Sequence, residues 1–350
     1  MTIKHIDSVF AELRVAVIGL GYVGLPLAVA FGHRRDVIGF DLDPIRVGEL
    51  QNGFDSTGEV SEHDLSGCVH ATFTSDSFYL ADRNCYIVAV PTPITEHKKP
   101  DLDPLIRATE LIGTFLNDGD IVIYESTVYP GVTDEICAPI LNRVSGLRYE
   151  SDDLPADQSP IEEGGKFFCG YSPERINPGD KKHQVQNIKK VLAFETKSKK
   201  VYKRFFSLYS KITKKIVISK SIDDAETAKV IENIQRDLNI ALMNDIFLFS
   251  KRMGLNFKNI IRLARTKWNF LRFNAGLVGG HCLPVDPYYL NFIAKRNKIK
   301  LKTVLAGRSV NEKMKSVIYD MIVKKISYIK KFNKKNKILI VGVTYKKDVS

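Results

Sequence analysis

The segment 19–24 constrains the fold of this chain more than any other part of the sequence. It follows an apolar run, 13–18, that is typical of a buried strand, and it precedes a helical pattern at 25–31. In this strand–turn–helix setting, the spacing G-x-G-x-x-G is typical of a dinucleotide-binding loop. The glycines permit a tight turn and let a pyrophosphate approach the helix N-terminus. The sequence therefore predicts an α/β fold with a Rossmann-type domain.

The residues after this loop indicate which dinucleotide is bound. A second predicted strand, Asp36–Phe40, ends in Asp41, 20 residues beyond Gly21. A carboxylate there accepts hydrogen bonds from the ribose hydroxyls and repels a 2′-phosphate, so NAD is favoured over NADP. The predicted cofactor-binding residues of this region are Gly19, Gly21, Tyr22, Val23, Gly24, Asp41 and Arg46.

Two further predicted strands, 85–90 and 121–124, end in loops of polar and proline residues. In an open α/β sheet, ligands lie beyond the carboxyl ends of the strands, so we expect Pro91, Thr92 and Thr127 to face the cofactor. The alternative is that both loops contain only ordinary turn residues.

The charge and the cysteine content limit the partners and the compartment. The 350 residues carry a net charge of +12, and the last 60 hold 17 Lys and Arg against three acids. No nucleic-acid motif accompanies this basic region, so we expect composition bias and no nucleic-acid partner. No run of about 18 apolar residues occurs, so no membrane insertion is expected. Five cysteines without paired spacing favour a cytoplasmic protein.

The middle of the chain offers candidate acid–base groups. Residues 150–165 are acidic and without periodicity, which predicts a surface loop. Glu174 then lies between prolines in an irregular segment, where it is either an acid–base candidate or part of a turn. A long helix is predicted from Asp223 to Gly254, and Lys229 and Asn233 project from one face of it, a turn apart.

A single cysteine lies in an unusual backbone at 279–287. Two glycines precede Cys282, two prolines follow it, and Asp286 lies four residues beyond it. A thiol in such a loop can act as a covalent nucleophile if nearby positive charge lowers its pKa. The alternative is a small buried apolar residue, which is the commoner role of a free cysteine.

The chain is predicted to contain three regions. Residues 1–219 form the Rossmann-type domain, and 220–332 form a helical domain that includes the long helix and a second helix at 317–330. Residues 333–350 contain only the first strand of a third α/β domain, since a buried strand at 337–346 is followed by the last residue, Ser350.

Several motifs occur in one order, which makes the combination more specific than any single motif. They are Gly19–Pro26, Glu125-Ser126-Thr127, Tyr171–Gly179, Gly279–Cys282 and Thr344-Tyr345-Lys346. On these motifs the chain resembles the UDP-glucose/GDP-mannose dehydrogenase superfamily, from about Arg14 to its end. Segments 266–270 and 276–282 are similar to the branch that acts on UDP-N-acetylhexosamines and supplies uronic acids for capsules, O-antigens and Vi-type polysaccharide.

The resemblance implies a homodimer that oxidises C6 of a UDP-sugar to a carboxylate with two NAD⁺. It implies that Cys282 traps the C6 aldehyde as a thiohemiacetal, and that Glu174 is the acid–base group in hydrolysis of the later thioester. The other implied catalytic residues are Lys229 and Asn233, for the developing oxyanion, and Asp286 and Thr127, for water or a reacting oxygen. The implied substrate-binding residues are Glu174, Arg175, Lys229, Asn233, Arg272, Gly276, Gly279 and Lys346. No metal is implied.

Two departures keep alternatives open. The branch usually has Arg-Pro-Gly before the cysteine loop, whereas this chain has Asn274-Ala275-Gly276, so an arginine that meets a phosphate or sugar is absent unless Arg272 takes its place. The family continues into a UDP-binding third domain, so we expect a C-terminally truncated chain. The alternatives are a UDP-glucose or GDP-mannose dehydrogenase, an inactive remnant that binds only NAD, and a single-step hydroxyacid dehydrogenase that needs no Cys282.

Overall fold

The computed structural model describes residues 13–151, 164–175, 185–196, 198–280 and 282–328, together with Leu339 and Val341. These residues form two compact units. Among the described residues, the sheet unit contains those up to Thr95 and those within Pro100–Lys229, and the helical unit contains Glu96–Lys99 and those from Val230 onward. The predicted strand at 337–346, and Lys346 with it, lies outside the described residues, apart from Leu339 and Val341.

The sheet unit contains nine strands among its described residues. They are β1 (Val15–Ile18), β2 (Val37–Phe40), β3 (Ala71–Thr74), β4 (Cys85–Val88), β5 (Ile121–Tyr124), β6 (Arg148–Tyr149), β7 (Lys166–Tyr171), β8 (Lys190–Ala193) and β9 (Ile216–Ser219). The helices of this unit are α1 (Gly24–Gly32), α2 (Pro44–Gln51), α3 (Glu62–Ser66), α4 (Asp103–Gly113), α5 (Ala138–Ser145) and α6 (Lys199–Ser210), with short helical turns at Ser77–Leu80 and Thr133–Cys137.

The strands run in the order β3-β2-β1-β4-β5-β7-β8-β9, and β6 pairs with β7. All pairs are parallel except β7 with β8. Parallel strands covered by helices on both faces must be apolar throughout, which is why β1, β2, β4 and β5 are completely buried. The chain changes direction across the sheet between β1 and β4, and this switch point is where doubly wound sheets bind ligands.

The predicted α/β fold with a Rossmann-type domain is confirmed, and the four predicted strands correspond to β1, β2, β4 and β5. Local signals also place the helices. Asp43 caps α2 by accepting a hydrogen bond from the main-chain N–H of Ile45 at 2.9 Å, and Pro44 occupies the first turn. Strands β3, β6, β7, β8 and β9 were not predicted from the sequence.

One long helix, α7 (Ile222–Arg252), extends over 31 residues and about 46 Å. It agrees with the predicted helix from Asp223 to Gly254. Its residues up to Lys229 belong to the sheet unit and the others to the helical unit. The predicted boundary at 219/220 precedes this helix, whereas the division by contacts falls within it.

The helical unit also contains α8 (Phe257–Ala264), α9 (Asp286–Arg296) and α10 (Lys302–Ser327). The prediction that the last helix begins at Val317 was wrong, because α10 begins 15 residues earlier. Its first half packs through a glycine and polar side chains: a Cβ on Gly307 would lie 2.4 Å from Leu238 of α7, and Arg308 and Asn311 are buried. No helix in the described ranges is long and apolar enough to cross a lipid bilayer.

Candidate active site

The glycine loop after β1 has the geometry that a pyrophosphate needs. Gly19 has φ of +90°, and a Cβ there would lie 2.9 Å from the carbonyl oxygen of Ala89, beyond β4. A Cβ on Gly24 would lie 1.8 Å from the carbonyl oxygen of Gly19. At Gly21, in contrast, a Cβ would have no other atom within 4 Å. The first and third glycines therefore close the turn, and the second leaves open space beside the backbone.

The N-terminus of α1 completes this loop. Its first residue is preceded by Val23, whose side chain makes no capping hydrogen bond, and the first turn contains no acid. The N–H groups of a first helical turn have no partner within the helix, and the helix dipole favours an anion there. These features and the half-buried Tyr22 fit the pyrophosphate of NAD.

Asp41 and Arg46 form hydrogen bonds to the main chain of the glycine loop. The Asp41 carboxylate accepts hydrogen bonds from the N–H of Leu20 at 2.7 Å and of Asp43 at 3.0 Å. The buried Arg46 donates from Nε and Nη2 to the carbonyl oxygen of Leu20, each at 3.0 Å, and forms an ion pair with Asp55 at 2.7 Å. Asp41 therefore lies at the carboxyl end of β2 against the glycine loop, and the Arg46 guanidinium supports the same loop.

The loops after β4 and β5 are joined to each other. Thr92 Oγ1 donates to the carbonyl oxygen of Thr127 at 2.6 Å, and Ser126 Oγ donates to that of Val90 at 2.7 Å. Pro91, between the two contacts, is exposed. The structure thus brings together Thr92 and Thr127, which the sequence predicted to face the cofactor.

A buried carboxylate that sequence reasoning missed fixes the turn beyond Thr127. Glu226 of α7 accepts hydrogen bonds from the N–H of Gly131 at 2.7 Å and from the N–H and Oγ1 of Thr133 at 3.1 and 2.6 Å. Burial raises the pKa of Glu226 to about 8, although these donors partly oppose the shift. Nothing in the local sequence distinguishes this acid from its exposed neighbours, Asp223 and Asp224.

Glu174 follows β7 in an irregular segment and is only 5% exposed. One of its oxygens, Oε1, accepts a hydrogen bond from the main-chain N–H of Arg175, and the other, Oε2, lies 3.5 Å from Nζ of Lys190. The Arg175 guanidinium donates to the carbonyl oxygen of Lys189 at 3.4 Å. Residues 176–184, which include the end of this motif, and residues 152–163 of the predicted acidic loop lie outside the described part of the chain.

Lys190 belongs to a group that we call the acid–lysine cluster: Glu125, Glu174, Lys190 and Tyr209. Lys190 is completely buried and forms ion pairs with both carboxylates. Tyr209 donates its hydroxyl hydrogen to Oε1 of Glu125 at 2.6 Å. Burial raises the pKa of Glu125 to about 7. Burial by itself lowers the pKa of Lys190, but the two carboxylates outweigh it and keep that pKa above its ordinary value.

In the helical unit, Cys282 is exposed and lies at a tight turn. Gly280 has φ of +93°, and the carbonyl oxygen of Cys282 accepts hydrogen bonds from the N–H groups of Val285 and Asp286 at 3.0 and 2.9 Å. Asp286 begins α9 and is 1% exposed, and its Oδ2 accepts a hydrogen bond from Nδ2 of Asn233 at 2.6 Å. The structure thus brings two predicted catalytic residues, Asn233 and Asp286, to the turn that carries Cys282.

The residues before Cys282 are held at Gly276. The side chain of Asn244 accepts a hydrogen bond from the N–H of Gly276 at 2.8 Å and donates to its carbonyl oxygen at 3.0 Å. Asn244 also donates to Asn311 at 2.8 Å. Gly279 and Arg272, both predicted to contact substrate, are exposed.

Asn311 belongs to a second buried group, which we call the arginine cluster: Asp237, Arg308 and Asn311. Asp237 Oδ1 accepts hydrogen bonds from Arg308 at 2.6 Å and from Asn311 at 2.8 Å. All three residues are nearly inaccessible to solvent. Sequence reasoning missed this cluster, because it joins residues about 70 positions apart.

Lys229, on α7, is 9% exposed and lies one helical turn before Asn233. Asn233 is half-buried, so neither residue of the pair is fully exposed. The described residues contain no group of three or more His, Cys, Asp or Glu that could hold a metal ion.

Two family models match the chain. The NAD-binding domain of the UDP-glucose/GDP-mannose dehydrogenase family matches residues 13–213, and the central domain of that family matches residues 223–313. The chain belongs to this family. The glycine loop of the sheet unit is therefore part of its NAD-binding domain, and the predictions of the family, of NAD and of a dehydrogenase are confirmed.

Relatives within the family cover most of the chain. It is 47% identical to a UDP-N-acetyl-D-glucosamine 6-dehydrogenase of Pseudomonas aeruginosa and 46% identical to one of Salmonella typhi, over 96% of this chain and 76% of each relative. It is 44% identical to Protein CapL of Staphylococcus aureus, over 89% of this chain and 70% of CapL. Among solved structures, the UDP-D-ManNAc dehydrogenase of Pyrococcus horikoshii matches with a TM-score of 0.78 and 30% identity, over 90% of this chain and 72% of that one.

Proposed function

We propose that this dehydrogenase oxidises C6 of a UDP-N-acetylhexosamine to the hexosaminuronate, for the synthesis of a surface polysaccharide. The observation that carries the proposal is the 47% identity, over 96% of the chain, to a UDP-N-acetyl-D-glucosamine 6-dehydrogenase. The relative CapL supports a role in capsule synthesis through its name. The exposed thiol of Cys282, beside a turn that holds Asn233 and Asp286, supports the covalent chemistry.

The proposed reaction removes four electrons from C6. NAD⁺ supplies the hydride acceptor for both oxidations, so two NAD⁺ become two NADH for each sugar. Between them, the Cys282 sulfur adds to the C6 aldehyde to give a thiohemiacetal, whose oxidation gives a thioester. Water then cleaves the C–S bond, which releases the carboxylate and restores the thiol.

The other residues stabilise charge or move protons in this proposal. Glu174 accepts a proton from the attacking water, while Asp286 and Thr127 position that water or a reacting oxygen. The ammonium of Lys229 and the amide of Asn233 donate to the oxyanion that develops at C6. Substrate contacts are assigned to the backbone at Gly276 and Gly279 and to the side chains of Glu174, Lys229, Asn233, Arg175, Arg272 and Lys346, the last of which lies outside the described residues.

The decisive experiment measures NADH released per nucleotide sugar with NAD⁺ in excess. We expect about two NADH for each UDP-N-acetylglucosamine or UDP-N-acetylgalactosamine consumed, and little oxidation of UDP-glucose or GDP-mannose. Faster oxidation of either of the last two would replace the proposed substrate class. One NADH per sugar, or none with every sugar, would contradict the four-electron reaction.

Substitution of the thiol tests the covalent step. We expect Cys282→Ser to abolish sustained turnover, because a serine ester is a poor substitute for the thioester, while NAD⁺ binding persists. Cys68→Ala is the matched control, since Cys68 is buried in the sheet unit and has no proposed role. Unimpaired uronate formation by Cys282→Ser would exclude the covalent mechanism and favour a single-step dehydrogenase.

We also propose a cytoplasmic homodimer. All five cysteines are free, which fits a reducing compartment. Ile231, Leu242 and Phe249 of α7 are 49%, 54% and 60% exposed, and their spacings of 11 and 7 residues return to one face of the helix. Light scattering after gel filtration would test this: we expect a dimer for the unsubstituted chain and a monomer for Leu242→Glu. An unsubstituted monomer at micromolar concentration would refute the dimer.

A further inference from the structure

The acid–lysine cluster contains one cation between two carboxylates. Lys190 begins β8, and its main-chain N–H pairs with the carbonyl oxygen of Lys215 at 2.8 Å, so the strand fixes the root of its side chain. Its ammonium contacts Oε2 of Glu125 closely and Oε2 of Glu174 at 3.5 Å. A third contact, at 3.4 Å, is to the carbonyl oxygen of Pro173. The ammonium therefore lies against the segment that carries Glu174.

Burial of a lysine at zero exposure is unfavourable unless the charge is paired. Glu125 alone would provide that pairing, and Tyr209 satisfies the other oxygen of Glu125. The second carboxylate is therefore not needed to keep Lys190 in the interior. Its presence requires a separate explanation, because the described members of the cluster are two acids and one base.

The contacts that hold the Glu174 carboxylate give such an explanation. Both oxygens of this carboxylate are held, Oε1 by the main-chain N–H of Arg175 and Oε2 by Lys190. A contact to each of the two oxygens fixes the orientation of the carboxylate group. Fixed orientation matters for an acid–base group, because a displacement of about 1 Å can reduce a rate by about 100-fold.

We infer that Lys190 is a positioning residue for the reaction, whose ammonium, anchored by Glu125 and Tyr209, holds the Glu174 carboxylate in place for the hydrolysis of the covalent intermediate. This inference rests on the proposed function. It assigns a role in one chemical step only: in the proposed reaction Glu174 moves a proton in the hydrolysis and not in the oxidations at C6, so loss of Lys190 slows the release of the carboxylate more than the transfer of hydride.

The test compares Lys190→Met with Lys189→Met, which removes the same charge from the neighbouring exposed residue. We expect Lys190→Met to lower kcat by about 10- to 100-fold, with KM for NAD⁺ unchanged. A burst of NADH should precede the slow phase, and mass spectrometry should detect the acylated Cys282. Lys189→Met should match the unsubstituted chain. A Lys190→Met chain that is folded and turns over at the full rate would overturn the inference.

A double-variant cycle separates a positioning role from a structural one. If Lys190 acts through Glu174, Lys190→Met will have almost no further effect on kcat in a Glu174→Gln background, and additive losses would contradict the inference. If Lys190→Met fails to fold, Lys190→Met with Glu125→Gln removes the unpaired buried charge. We expect that pair of substitutions to restore folding but not the rate, and recovery of the rate would show that Lys190 only neutralises Glu125.

Failure of the proposed function gives a different result. In that case the unsubstituted chain releases no NADH with any UDP-sugar. The role of Lys190 can then be read without activity, from the ¹³C spectrum of protein labelled at the glutamate carboxyl carbons. The resonance that Glu174→Gln removes should change position in Lys190→Met and stay fixed in Lys189→Met. An unchanged resonance would overturn the inference.

Discussion

The two buried ionic clusters of this protein differ in charge balance. The arginine cluster of the helical unit pairs one carboxylate, Asp237, with one guanidinium, Arg308. The acid–lysine cluster of the sheet unit has two carboxylates for one ammonium, Lys190. A balanced pair neutralises its own charge and acts on stability. The acid–lysine cluster contains a second carboxylate, Glu174, that the pairing of Lys190 with Glu125 does not require, and this carboxylate is the one that we propose for catalysis.

The largest loss of stability is expected when the arginine cluster loses its cation. Arg308→Met leaves Asp237 charged and buried without its cation, which should lower the free energy of unfolding by about 3–5 kcal/mol. Urea unfolding followed by circular dichroism measures this loss. Asp237→Leu combined with Arg308→Met is the control, because removal of both partners should recover most of the stability. A loss below about 1 kcal/mol in Arg308→Met would show that Arg308 does not neutralise a buried charge on Asp237.

An intermediate effect concerns Glu226, a buried carboxylate with no cation in its described contacts. Because its pKa is raised from an ordinary value of 4.5 to about 8, the folded state binds this proton more tightly than the unfolded chain does. That contribution to stability is complete below about pH 4.5 and is lost as the pH rises toward 8, by a few kcal/mol at most.

The side chain introduced by Glu226→Gln does not titrate. The free energy of unfolding of this variant should therefore depend less steeply on pH, between about 5 and about 8, than that of the unsubstituted chain. Urea midpoints at several pH values provide the comparison. Asp120 and Glu125 have pKa values raised to about 6 and about 7, so the difference between the two chains is the quantity to measure. Parallel curves for the two chains would refute the assignment.

The smallest effect is expected at a solvent-exposed pair. In the helical unit, Nζ of Lys98 lies 2.8 Å from Oε1 of Glu312, and the two side chains are 48% and 41% exposed. Water screens such a pair, so Lys98→Met should change the free energy of unfolding by less than about 1 kcal/mol. A loss comparable to that of Arg308→Met, measured by the same urea titration, would remove the distinction between buried and exposed pairs.

The sequence predicted the parts of the site that local pattern defines. The glycine loop, the acid at Asp41 and the long helix are each set by spacing along the chain. Lys190 could not be predicted, because it is one of 52 Lys and Arg and only its distant partners Glu125 and Glu174 distinguish it from Lys189. It lies on β8, whose antiparallel pairing with β7 no local signal indicates.

The start of α10 was missed for a related reason. Apolar residues at helical spacing reveal a helix that packs through them, but the first half of α10 packs through Gly307, Arg308 and Asn311. Their partners, Leu238 and Asp237, are about 70 positions away. A helix that is stabilised by buried polar contacts has a sequence that resembles a surface segment.

Because the loop that carries Cys282 is attached at both ends, we expect evolution to tolerate some substitutions in it better than insertions or deletions. At one end the side chain of Asn244 binds the main-chain atoms of Gly276, and apart from Gly276 and its chain neighbours no described atom lies within 4 Å of the position that a Cβ on Gly276 would take. At the other end Asn233 binds Asp286. Residues of this segment other than its glycines and Cys282 can therefore be exchanged with little cost to its attachment, whereas one added or deleted residue would shift Cys282 along the loop. Homologous chains should keep Cys282 and the length of this segment more strictly than the identity of its other residues.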